Sequence, residues 1–115
     1  MTGIRPDFSL AIVDDMKLSG YLFASNHNEG WPKGRFLLQA GFLADELDVV
    51  RAAIIVQAES SQIVTTSTPY GKKFECDGEV TSPTGESRQA RTVWQLDSGT
   101  ENLRFVTFKP LRKKL

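Results

Sequence analysis

The spacing of apolar residues changes near residue 60. Before it, apolar positions recur every three or four residues, the repeat of a helix with one buried face. Leu18, Tyr21 and Leu22 predict a short helix over residues 17–24, weakened by Gly20. Phe36, Leu37 and Ala40 predict a helix over 33–40, with Pro32 in its first turn and Gly41 ending or bending it. Leu43, Leu47, Val50 and Ile54 form a stripe that predicts another helix ending near Ala58. Asp45, Glu46 and Asp48 then fall in its first turns, where carboxylates suit the positive end of the helix dipole.

After Ser60 the period shortens to two. Residues 63–68 are β-branched or hydroxylated and predict a strand. Pro69-Tyr70-Gly71 is a turn signal. Over 73–80, Phe74, Cys76 and Val80 alternate with Lys73, Glu75, Asp77 and Glu79, and Gly78 marks a candidate bulge. Residues 82–85 predict a hairpin connection, 90–96 a third strand, and 103–108 a fourth, stopped by Pro110. Residues 8–13 are apolar but too short for periodicity to separate strand from helical turn.

Helices followed by an antiparallel meander make an α+β fold, with the N-terminal helices packed on one face of a four-stranded, mainly antiparallel sheet. The expected organisation is a single domain over 1–115: a lead-in over 1–16, a helical part over 17–60, the β-meander over 61–110, and a basic tail over 111–115. The uncovered sheet face, carrying Thr, Arg, Lys and Tyr, is where a site is expected.

Composition narrows the function classes. The chain has 14 basic and 14 acidic residues, so its net charge is zero. Residues 1–60 carry eight acids against five bases, a net −3; residues 61–115 carry nine bases against six acids, a net +3. That falls short of a strongly basic nucleic-acid-binding domain, although a basic sheet face and tail attract phosphate. A solvated chain end is the plainer reading of the tail. No apolar run reaches the ~20 residues of a membrane span, and residues 1–15 lack the apolar stretch of a signal peptide, so a cytoplasmic protein without membrane contact is expected. One Cys and one His do not build a conventional zinc site, and Gly71-Lys72 lacks the rest of a phosphate loop. Neither metal nor cofactor is expected. Cys76, beside Phe74 on an alternating strand, reads as core.

The remaining chemistry lies in a few polar residues. His27 is the one side chain whose ordinary pKa lies near neutrality, and it sits in a polar loop ahead of Lys33 and Arg35. A loop His beside cations suits a phosphodiester site; the alternative is a surface His bonded to backbone. Lys33, near a helix start, either joins free N–H groups in holding an anion or is simply solvated. Thr68, Tyr70, Lys72, Arg91, Thr92, Thr107 and Lys109 supply hydroxyls and cations that bind phosphate without metal, or else decorate a wet sheet. Trp94 reads as core.

These residues also carry a resemblance. Lys17-Leu-x-x-Tyr21-Leu, His27-x-x-Gly30-x-x-Lys33-x-x-Phe36, Thr68-Pro-Tyr70-Gly71, Thr92-Val-Trp94 and Val106-Thr107 resemble a family of small bacterial domains with no assigned activity, over about residues 17–110. The order of helices and strands is similar to the barnase, EndoU, colicin and RelE group of metal-independent RNases, many of them toxins. The resemblance implies His27, Lys33 and the threonines after the glycine-rich and tryptophan motifs as the family's shared polar positions. For a ribonuclease, His27, Lys33, Arg91 and Thr107 are the expected catalytic residues, with Arg35, Thr68, Tyr70, Lys72, Thr92 and Lys109 binding RNA. RNA and a cognate antitoxin or other protein are then the expected partners. The alternative is a non-catalytic accessory module of the immunity, antitoxin or phage-partner type, motivated by the balanced charge.

Overall fold

The computed structural model describes residues 6–24 and 26–111. The first five residues and Arg112, Lys113 and Lys114 of the expected basic tail lie outside the described residues. A 3-10 turn, Phe8–Leu10, opens the described chain, capped by the Asp7 carboxylate, which accepts from the Ser9 N–H at 3.1 Å. Helix α1, Asp15–Lys17, is capped in the same way by Asp14 and runs into a π-helical turn, Leu18–Leu22. Helix α2 spans Gly30–Ala40 and α3 spans Leu47–Glu59. Gly41 follows α2 at φ +116°, a left-handed conformation that few other residues adopt cheaply.

All three helical segments differ from the pattern at their bounds, and α2 begins at Gly30, ahead of the expected start near Pro32. The expected short helix is one α-turn followed by a π-turn. Helix α3 starts at Leu47, so Leu43 lies in the connecting loop, 56% exposed, and Asp45 and Glu46 precede the helix. The Glu46 N–H bonds back to Leu43 in a turn, and the Glu46 carbonyl accepts the first helical bonds, from Val49 and Val50. The heptad-like spacing of Leu43 to Leu47 therefore crosses a turn. Val50, Ile54, Gln57 and Ala58 form the buried stripe.

The sheet is an antiparallel meander in the order β1 (Gln62–Thr68), β2 (Gly71–Thr81), β3 (Ser87–Asp97), β4 (Leu103–Pro110). Phe74, Cys76 and Val80 of β2, Ala90 and Trp94 of β3, and Phe105 and Phe108 of β4 are buried beneath the helices. Gln57 pins α3 to this face: its amide donates to the carbonyls of Cys76 (2.8 Å) and Ala90 (3.0 Å), and its oxygen accepts from the Thr92 hydroxyl (2.6 Å). The amide and oxygen of the buried Gln57 side chain thus both have partners, which offsets the cost of burying them.

The expected bulge at Gly78 is not there, since β2 keeps an unbroken register with β1 and β3. A Cβ at Gly78 would lie 3.3 Å from Ser61, so its small size serves the approach of the segment leaving α3. The bulge is in β4. Thr107 pairs with Val93 and Phe105 with Trp94, leaving Val106 as the extra residue. Residues three apart on a regular strand face opposite sides; the insertion returns Phe105 and Phe108 to the same core.

The expected lead-in is also part of the fold from Phe8 onward. Phe8 and Phe105 meet Trp94 edge-on, with ring centroids 5.2 and 5.4 Å away. Ile12 makes a parallel bridge to β4, donating to the Leu103 carbonyl and accepting from Phe105, both at 2.8 Å. Among the described residues no helix is long and apolar enough to cross a membrane.

Candidate functional site

Three segments converge at the outer strand, β4. The π-turn supplies Tyr21, the second turn of α2 supplies Lys33, and the bulged part of β4 supplies Thr107. The Lys33 ammonium donates to the Tyr21 hydroxyl at 2.7 Å and to the Thr107 hydroxyl at 3.1 Å. The two hydroxyls are themselves 3.2 Å apart. The ammonium has three donors, so one remains for a ligand. Lys33 also lies 5.3 Å from the Tyr21 ring centroid and Lys17 lies 5.7 Å from it, so two cations flank one phenol. Burial raises the pKa of that phenol. The hydrogen bonds from Lys33 and Thr107 and the Lys33 charge outweigh burial and an opposing Glu29, and hold the group below its ordinary 10.0.

His27 stands beside this cluster, its ring edge-on to Tyr21 at 4.7 Å. Its Nδ1 accepts the backbone N–H groups of Glu29 (3.2 Å) and Gly30 (3.0 Å), and its carbonyl accepts from Trp31. His27 therefore caps the start of α2, a task usually done by Ser, Thr, Asp or Asn. Two N–H donors on Nδ1 place the neutral ring's proton on Nε2. In that tautomer the ring presents Nε2–H as a donor, while Nδ1 is engaged with the backbone of α2.

The other expected residues separate into groups. Arg91 is held by both Asp77 carboxylate oxygens, at 2.6 and 2.9 Å, with Glu75 at 3.6 Å. Its hydrogen bond to Asp77 raises its pKa against the opposing effect of burial, with the charges of Asp77 and Glu75 adding to the rise, and the same bond holds the Asp77 carboxyl below its ordinary 3.8. Thr92 is withdrawn from the set: it is fully buried, bonded to Gln57 and to the Trp94 indole N–H (2.8 Å), and out of a ligand's reach. Thr68 spans its own hairpin, donating to the Gly71 carbonyl and accepting from the Tyr70 N–H. Tyr70 and Lys72 are exposed at that same end. Gly71 pairs with Asp97, four residues beyond the Val93 that faces Thr107. That is roughly 13 Å along the strands and about 10 Å across them, so this group does not join the cluster. Lys109 is exposed opposite Arg91, and Arg35 is exposed on α2.

Thus Lys33, Thr107 and His27 come together, and Tyr21 joins them. Tyr21 was not among the expected site residues because periodicity counts a tyrosine as an apolar contact. Its hydroxyl was the missed signal, since a partly buried phenol seeks a partner.

A family model described as a domain of unknown function, DUF6883, matches residues 5–112. The chain belongs to this family. The membership agrees with the expected kind of family, small domains without an assigned activity. No curated protein sequence matches the chain. A solved structure described as a contact-dependent growth inhibition toxin–immunity protein complex from Klebsiella pneumoniae 342 contains a chain similar to this one. The TM-score is 0.71 at 14% identity, covering 93% of this chain and 98% of that chain. At that identity the likeness is one of fold.

Proposed function

We propose that the Tyr21–Lys33–Thr107 cluster is the active site of a metal-independent ribonuclease module of the toxin type. The observation that carries this reading is the 2.7 Å bond from the Lys33 ammonium to a phenol held below its ordinary pKa. A group that takes a proton then stands next to a group that stabilises negative charge, which is what phosphodiester cleavage by a neighbouring hydroxyl requires. The phenolate of Tyr21 takes the proton of an RNA 2′-hydroxyl. The 2′-oxygen bonds to the adjacent phosphorus, and the bond to the 5′-oxygen breaks. Lys33 faces the charge that builds on the phosphoryl oxygens and gives a proton to the departing 5′-oxygen. Tyr21 then returns its proton to Lys33 across their hydrogen bond, and the cycle closes. Thr107 holds both groups, and His27 fixes the start of α2 and offers Nε2–H to the substrate. The toxin context is supported by the fold likeness to a chain of a toxin–immunity complex. RNA would be the substrate and a cognate antitoxin or immunity protein the partner.

The test is cleavage of RNA by the purified protein in EDTA. Products ending in 2′,3′-cyclic phosphate are expected, and intact RNA after prolonged incubation with folded protein contradicts the reading. A second reading is a non-catalytic member of a toxin–immunity pair. It is favoured by the zero net charge and by the neutralisation of Arg51, Arg88, Arg91 and Arg104 by carboxylates. It expects a stable complex on co-purification and no cleavage.

A further inference from the structure

The Lys33–Tyr21 bond joins two helical segments that touch through backbone. At Gly30, a Cβ would sit 2.1 Å from the Tyr21 carbonyl oxygen; at Gly34, one would sit 1.7 Å from the Leu22 carbonyl oxygen. Both glycines are buried. No real Cβ tolerates such distances, so each glycine occupies a place where a side chain would force α2 away from the π-turn. The two are four residues apart and therefore share one face of α2, with Lys33 next to Gly34 and one helical turn after Gly30. The carbonyls they meet belong to Tyr21 itself and to the residue after it. Packing at these two points is thus tied to the side-chain pair more directly than to the rest of the core.

We propose that Gly30 and Gly34 are positioning residues: their close contact with the carbonyls of Tyr21 and Leu22 sets the distance between the Lys33 ammonium and the Tyr21 hydroxyl. An alanine at Gly34 requires a withdrawal of α2 by more than an ångström, since the 1.7 Å gap must open to at least 3.0 Å. A withdrawal of that size is large against the roughly 0.5 Å range of hydrogen-bond lengths, so the 2.7 Å contact between the ammonium and the phenol is expected to lengthen or break. Gly20 supplies a contrast within the π-turn. A Cβ there meets only the end of the Met16 side chain, at 2.9 Å, and that chain is flexible and exposed.

The inference rests on the proposed active site only for its consequence in cleavage, and its test uses no RNA. Phenol ionisation of the whole chain is followed by ultraviolet absorbance in Gly30→Ala, Gly34→Ala and Gly20→Ala, with circular dichroism to establish folding. The two buried-glycine variants are expected to move the Tyr21 midpoint upward, back towards or beyond 10.0, and Gly20→Ala to leave it in place. Gly30 lies in the first turn of α2, where a helix end yields more easily, so Gly30→Ala decides the matter if Gly34→Ala does not fold. An unshifted Tyr21 midpoint in folded Gly30→Ala overturns the proposal. Failure of both variants to fold also overturns it, because the glycines would then be general packing residues. Absence of RNA cleavage by the wild-type protein would remove the proposed function and leave this result standing.

Discussion

Tyr21 is where opposing effects on one residue are resolved. Burial disfavours its phenolate, and Lys33 and Thr107 favour it more strongly. The consequence is visible without substrate. The chain has two tyrosines, so an ultraviolet titration contains two waves at most. One is expected below pH 10.0, absent in Tyr21→Phe. In Lys33→Ala that wave should rise, because burial remains while the main compensating contact is gone. A Tyr21 midpoint unchanged by Lys33→Ala contradicts the geometry. The rising limb of the pH–rate profile for RNA cleavage should track the same wave.

His27 shows how a residue's chemistry is set by the element it serves. As the cap of α2 it is replaceable by a residue that accepts the same N–H groups. His27→Asn should keep the fold's stability within a few tenths of a kcal/mol, and His27→Ala should lose about 1 kcal/mol in urea unfolding. The opposite order points to a role other than capping. Strands were legible in the chain because apolar residues repeat every second position, as in Phe74, Cys76 and Val80. Residue type alone had put Arg91 and Thr92 together on the wet face, although adjacent strand residues point to opposite sides and Thr92 is buried in the core. The β4 bulge left no signal: Phe105-Val106-Thr107-Phe108 reads as an ordinary strand until Phe105 and Phe108 are both seen to be buried. The π-turn was hidden likewise, since three- and four-residue spacings do not distinguish it from an α-turn. The site depends on both irregular elements, so its partners were only half readable. Lys33 and Thr107 stood out as polar types, while Tyr21 passed as core.

At the scale of the whole molecule, the chain closes on itself around Trp94, which meets Phe8 from the start of the described chain and Phe105 from near its end, both edge-on. Phe8→Ala should cost roughly 3–5 kcal/mol in denaturant unfolding, because it opens a cavity against Trp94. A loss below about 1 kcal/mol would return this segment to the status of a loose lead-in. The open sheet face is held by charge. The folded pKa of Asp77 is lowered, so its contribution to stability is present above pH 3.8 and is lost as pH falls through the folded value. Arg91→Met should bring the Asp77 carboxyl resonance midpoint back up towards 3.8 and flatten that part of the acid-stability curve. A midpoint that stays low would show that Arg91 is not its cause.

The claim on which the account turns is that the Tyr21–Lys33 pair, rather than His27, performs the chemistry. Its most direct test is the rate of RNA cleavage in EDTA by wild type, Tyr21→Phe, Lys33→Ala and His27→Asn, each shown to be folded. The account predicts a loss of at least about 100-fold in the first two variants and less than about tenfold in His27→Asn. Full activity in Tyr21→Phe, or a loss in His27→Asn as large as in Lys33→Ala, would contradict it.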